Sequence, residues 1–189
     1  MNLVEIITSE SLNLILENTG FNPLQKLIEG CCKESNFYKK ARLLEFLEFI
    51  RLNEQIFTIK LIKNECFISG LSLTLNNIVE QFSKQKRFKI YKIFKEFTIE
   101  ENKEELELEK MYFMLNLLSL NDLKILENIN ELEKIITSPE MQTEKPEIVN
   151  SITSLQSLGI LFSIPAMDGA NHYQITAFGQ KFHNHIFLI

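Results

Sequence analysis

A chain of 189 residues, 45% hydrophobic and 24% charged, can bury a sizeable core and is not disordered over most of its length. Only six glycines and four prolines interrupt it, which favours long helices, since helix interiors tolerate neither residue well. The formal charge of −5 gives the whole molecule no general attraction for nucleic acid or an anionic membrane, so any such contact must be local.

The opening segment, Asn2 to Glu17, places Leu3, Ile6, Ile7, Leu14 and Ile15 at helical spacing. Glu5 and Glu10 within it, with no basic start or small-residue cleavage site, set it apart from a signal peptide. Gly20 and Pro23 break the pattern, and a short helix from Pro23 to Cys32 follows, carrying Leu24, Leu27 and Ile28 and weakened at its end by Gly30. Ser35 or Asn36 then caps a long helix on which Leu43, Leu47 and Ile50 fall at i, i+4 and i+7. Ile56 to Asn64 is ambiguous: Phe57, Ile59 and Leu61 alternate as in a strand, yet the flanks are helical and turn residues are lacking, so it reads as helix. Leu71 to Phe97 reads as one long helix with Ile78, Phe82, Ile90, Ile93 and Phe97 towards a core. An acidic stretch, Ile99 to Glu109, leads into a helix with Leu108, Met111, Leu115 and Leu118 on one side. No segment reaches the ~18 uncharged apolar residues of a membrane span.

At Ser119 the pattern changes. Ser119 with Asp122 resembles a capping box and opens a helix carrying Leu123, Leu126, Ile129, Leu132 and Ile136, which stops near Thr137 to Pro139. After a polar connection, Pro146 suits the first position of a helix with Ile148, Ile152 and Leu155 inward, and Gly159 suits its C-terminal cap. Gly159 to Pro165 and His172 to Thr176 read as a β-hairpin turning near Asp168 and Gly169, and Ala177 onwards as a closing helix. The fold class is therefore mainly α: a helical body over 1–118, then a module over 119–189 that contains a β-hairpin.

Catalytic chemistry finds no footing in these residues. The glycines are scattered, so no phosphate-cradling loop is present. Cys31, Cys32 and Cys66 are odd in number, two of them adjacent, which suits free thiols in a reducing compartment and hence the cytoplasm. His183 and His185 stand two apart, about 200° around a helix, where one metal cannot easily take both, and His172 lies in the hairpin. No catalytic residue, metal or cofactor is expected. The basic run Lys84, Lys86, Arg87, Lys89, Lys92 and Lys95, interleaved with Phe88, Tyr91 and Phe94, is a candidate for phosphate or anionic lipid. The competing reading pairs it with the acids of Glu100 to Glu109 in a helical hairpin.

Leu155, Gly159 and Ile160, followed by Tyr173, Ile175, Thr176 and Gly179, resemble the closing half of a winged-helix domain, in which a third helix ends in Leu-x-x-x-Gly-Leu/Ile and the second wing strand in Tyr-x-Leu-Thr-x-x-Gly. The resemblance implies a winged-helix-like module. It does not choose between DNA and protein as partner. The Lys/Arg-rich segment from Lys84, the acidic helix start after it and the Leu-Ser-x-x-Asp-Leu order at 118–123 resemble the helical region of bacterial abortive-infection proteins of the Abi-alpha type. That resemblance implies a phage-defence or prophage setting.

A DNA-reading third helix is normally steadied by Lys and Arg on phosphate. Here its outward residues, read as Asn150, Ser151, Thr153, Ser154, Gln156 and Ser157, are neutral, and from Ser119 onwards eight acids face four lysines. The expected activity is therefore non-enzymatic: contact with a protein partner or self-association, as in a dimer, through Asn150, Ser151, Ser154 and Ser157. The alternative is a dimeric winged-helix DNA-binding regulator using Asn150, Ser154 and Ser157, with phosphate contacts from Lys84 to Lys95. Peripheral membrane contact by that basic helix is the third reading.

Overall fold

The computed structural model describes residues 28–30, 32, 36–57, 61, 64–100, 104–129, 135–137, 144–164 and 170–188. The helix expected over Asn2 to Glu17, its break at Gly20 and Pro23, the connection 138–143 and the turn at Asp168 and Gly169 lie outside them. The protein is mainly α-helical with an antiparallel β-hairpin, and it divides into two compact units, one ending at Tyr112 and the other beginning at Phe113. Among the described residues no helix is long and apolar enough to cross a membrane.

In the first unit, α1 (Phe37–Leu52) starts where the Asn36 side chain accepts the Lys39 N–H at 3.0 Å, satisfying a donor that the first helical turn leaves open. Leu43, Phe46, Leu47 and Ile50 are its buried face. Of the described residues in the ambiguous stretch, Ile56 and Phe57 lie in a turn and a bend and Leu61 is 3₁₀-helical, and α2 (Glu65–Glu80) begins after Asn64 caps it. Helix α3 (Lys84–Ile99) follows, and then α4 (Glu105–Leu117), within which the division between the units falls. Phe94 centres the core, its ring 5.9 Å from Phe46, 5.8 Å from Phe57, 5.5 Å from Phe67 and 6.2 Å from Phe97. Gly70 is small because a side chain there would run into the Phe97 ring and Leu108, so α2 sits close to α3 and α4. Beneath it, the Thr74 and Tyr112 hydroxyls bond at 2.7 Å, which meets the hydrogen-bonding needs of two buried polar groups.

The single helix expected from Leu71 to Phe97 is two helices. It breaks at Gln81 to Ser83, and Phe82, expected inside, is 83% exposed. Arg87 explains the break. Its Nη1 donates to the carbonyls of Gln81 and Phe82 at 3.1 and 2.9 Å, acceptors that a continuous helix would have used internally. Its Nε and Nη2 meanwhile donate to Glu45 on α1 at 3.1 and 2.8 Å. Ser83 caps α3 by accepting the Lys86 N–H.

Within the second unit the expected capping box is present: Ser119 Oγ accepts the Asp122 N–H at 3.1 Å, and the Asp122 carboxylate accepts the Ser119 N–H at 2.7 Å. The helix it starts, α5 (Leu120–Glu127), is shorter than expected. Instead of continuing to Ile136, the chain forms β1 (Ile135–Thr137), paired antiparallel to β3. Two isoleucines and a threonine favour an extended, β-branched strand once a partner exists. Helix α6 (Pro146–Ser157) has its proline in the first turn as expected, then come β2 (Leu161–Ile164), β3 (Asn171–Ile175) and α7 (Ala177–Phe187). The sheet order is β1-β3-β2, with Leu161 opposite Ile175, Ser163 opposite Tyr173 and Ile135 opposite Tyr173.

Candidate interaction surfaces

The end of α6 and the end of β3 are built against each other. Gly159, at φ +71°, adopts the left-handed conformation that stops the helix. Its N–H donates to the Gln156 carbonyl and the Ile160 N–H to the Leu155 carbonyl, both at 2.9 Å, while Leu155 and Ile160 are fully buried. This is the Schellman closure with its apolar contact. Thr176 then ties the strand end to it: its N–H donates to the Ile160 carbonyl at 2.9 Å and its hydroxyl to the Gly159 carbonyl at 2.7 Å. The same hydroxyl accepts the Gly179 N–H at 2.8 Å and so caps α7. Gly179 is pressed against the Ile160 carbonyl, where a β-carbon would collide with backbone. Two short motifs, joined by a bond between residues 17 apart in sequence, thus form one joint.

That joint fixes which side of α6 faces outwards. Asn150 and Ser157 are exposed and Ser154 is half-buried, but Ser151, expected on the outward face, is 4% exposed and accepts the Asn121 amide of α5 at 3.0 Å. The reason is its place one turn before Leu155, at the edge of the buried stripe, where a small hydroxyl fits and finds a donor. Glu147, Thr153 and Gln156 complete the outer face, and the helix carries neither Lys nor Arg. On the hairpin, Phe162 is opposite Gln174 and Ile164 opposite His172. Phe162 is 44% exposed, an apolar group on the outer side of the sheet that the sequence reading passed over. Adjacent Leu161 and Phe162 on one strand face opposite sides, but only the packing shows which of the two is turned out.

Compared with protein-family models, curated proteins and solved structures, the chain matches none. His185 is buried with Nδ1 at 2.8 Å from the Lys181 carbonyl, a contact that makes Nδ1 the donor, and the His183 ring lies 5.0 Å from that of Phe187. Among the described residues no three of His, Cys, Asp and Glu gather so as to hold a metal ion. Cys32 is buried, which pushes its thiol above the ordinary range, away from the reactive thiolate.

The basic run lies on α3 and splits by direction. Arg87 is buried and holds the α2–α3 break, as described, whereas Lys84 is exposed and Lys86, Lys89, Lys92 and Lys95 are half-buried. The acid that reaches Arg87 is Glu45 on α1 rather than a member of Glu100 to Glu109, and Glu105 accepts the Ser69 hydroxyl of α2 at 2.6 Å. The Arg42 guanidinium lies 4.6 Å over the exposed Phe82 ring, and the Lys92 ammonium 5.8 Å over Phe88.

Proposed function

We propose that this chain is a non-enzymatic protein-interaction protein whose second unit is a winged-helix-like module that associates with a second copy of the chain. The winged-helix reading draws support from the strand order β1-β3-β2, from α6 running directly into the hairpin, and from the joint between Gly159, Thr176 and Gly179. The preference for polypeptide over DNA rests on one observation. The outward face of α6, with Glu147, Asn150, Thr153 and Gln156, bears no cation, and the neighbouring sheet offers Phe162 instead. Phosphate contacts supply most of the sequence-independent affinity of a DNA reader, and this face has none to give. The resemblance of the 84–129 region to abortive-infection proteins suggests a bacterial phage-defence or prophage setting.

Sedimentation equilibrium of the full chain, with and without Phe162→Glu, tests the reading alongside titration of a mixed-sequence duplex at low salt. Concentration-dependent dimerisation that the substitution weakens, without duplex binding, is expected. A monomer at all concentrations would remove self-association. Duplex binding that falls steeply with salt would instead favour the DNA-binding regulator, with Asn150, Ser154 and Ser157 at base edges.

A further inference from the structure

The outer face of α3 has a chemistry that the interaction reading of the second unit does not use. With Arg87, Ile90, Tyr91, Ile93, Phe94, Phe97 and Thr98 turned inward, the opposite arc holds Lys84, Phe88, Lys92, Lys95 and Ile99. At 1.5 Å per residue this row runs about 24 Å along the helix. Phe88 and Ile99 are each about half exposed, and Phe82, just before the helix, is almost wholly so. Glu96 is the single acid between Lys84 and Ile99.

We infer that this face, Phe82 included, is a docking surface for an anionic lipid bilayer. Large apolar groups spaced along one helix side and bordered by lysines match a planar boundary: the rings and Ile99 enter the edge of the acyl layer while the ammonium groups meet headgroup phosphate. A duplex supplies the negative charge but no apolar layer, and an aliphatic Ile99 has nothing to stack on there. The face is also held in shape before any lipid arrives. Arg87 fixes the start of α3 through the Gln81 and Phe82 carbonyls and Glu45, and Phe88 leans edge-on against Phe49 of α1 with ring centroids 6.3 Å apart.

The test is co-sedimentation of the full chain with vesicles of phosphatidylcholine alone and of phosphatidylcholine mixed with phosphatidylserine, over a range of salt. Binding to the mixed vesicles only, weakening as salt rises, is expected. The triple variant Lys84→Gln, Lys92→Gln, Lys95→Gln should lose about a hundredfold in partition, at about fivefold for each lysine, and show a shallower salt dependence. Phe82→Ser, at a side chain that is almost wholly exposed, should weaken binding at every salt concentration and leave the salt slope unchanged. Equal binding to both vesicles, or a triple variant that binds as the parent does, would overturn the inference. So would a Phe82 variant that binds undiminished, or displacement from vesicles by duplex DNA or inorganic phosphate at matched phosphate concentration. Either of the last two outcomes would reduce the face to a general anion contact.

Discussion

Helices α3 and α6 follow the same inward rule and opposite outward ones. Each buries an apolar stripe at helical spacing, yet α3 turns lysines, Phe88 and Ile99 outwards while α6 turns out an acid, amides and hydroxyls. The cationic helix is outside the unit that contains α6, and that unit is itself acidic. A motif that specifies a joint, such as Gly159 with Thr176 and Gly179, therefore says how a helix is held and nothing about what its free side meets. The means of holding differ too. Helix α3 is fixed by a charge, Arg87, with four hydrogen bonds, and α6 by two glycines and a threonine.

If α6 is held by close backbone approach, Gly179→Ala should be the most damaging small change, costing about 3 kcal/mol because the new β-carbon meets the immovable Ile160 carbonyl. Gly159→Ala, which has open space but the wrong backbone angle, should cost only about 1 kcal/mol. Urea midpoints of the two variants would show the order, and equal losses would mean that the joint is not tightly packed. On the α3 side, the buried Tyr91 hydroxyl has its pKa pushed up to about 12, chiefly by burial and then by the Glu45 carboxylate, with Arg87 opposing. A raised folded value favours the neutral phenol in the native state. Its contribution is fully present below about pH 10 and is lost as pH rises through about 12, a total of roughly 2 to 3 kcal/mol. Tyr91→Phe should flatten that alkaline decline without abolishing it, since burial also raises the Tyr112 hydroxyl. Arg87→Ala should cost about 2 kcal/mol at neutral pH, less than for a fully buried pair because Glu45 is partly exposed and can be rehydrated. Hydrogen exchange should then show the amides around Ser83 opening first.

The features legible in the sequence were those whose cause is local. Asn36, the Ser119–Asp122 box, Pro146 and Gly159 each act within a turn of where they stand, and each sits where its residue type predicts. The errors lay where distant residues decide. Ile129, Leu132 and Ile136 fit a helical stripe by arithmetic, but β1 exists because Ile135 to Thr137 finds β3 some forty residues on. The break at Gln81 to Ser83 likewise depends on Arg87 and on its partner Glu45, 42 residues before Arg87. Ser151 is polar and yet buried, because Asn121 supplies its hydroxyl with a partner 30 residues away in sequence. For the candidate surfaces, the lack of cations on α6 was visible at once, whereas exposed Phe82 and Phe162 emerged only with the packing.

The smallest expected effect separates geometry from charge most cleanly. Asn150→Lys, Thr153→Lys and Gln156→Lys together would give α6 the cations that its outward face lacks. Should the module have winged-helix geometry, the triple variant gains weak, sequence-independent duplex binding at low salt, about 1 kcal/mol or less from each lysine. The slope of log K against log salt would approach about 0.9 for each phosphate contacted. Glu144 and Glu147 at the start of the helix hold the gain down, so it should vanish near physiological salt. Fluorescence anisotropy with a labelled duplex can follow it. No gain at the lowest salt would mean that the face cannot approach a groove and that the likeness to winged helices ends at the joint. Binding by the unmodified chain that survived Lys84→Gln, Lys92→Gln and Lys95→Gln would show amides and hydroxyls alone sufficing on α6, and the contrast between the two helices would no longer assign the polyanion to α3.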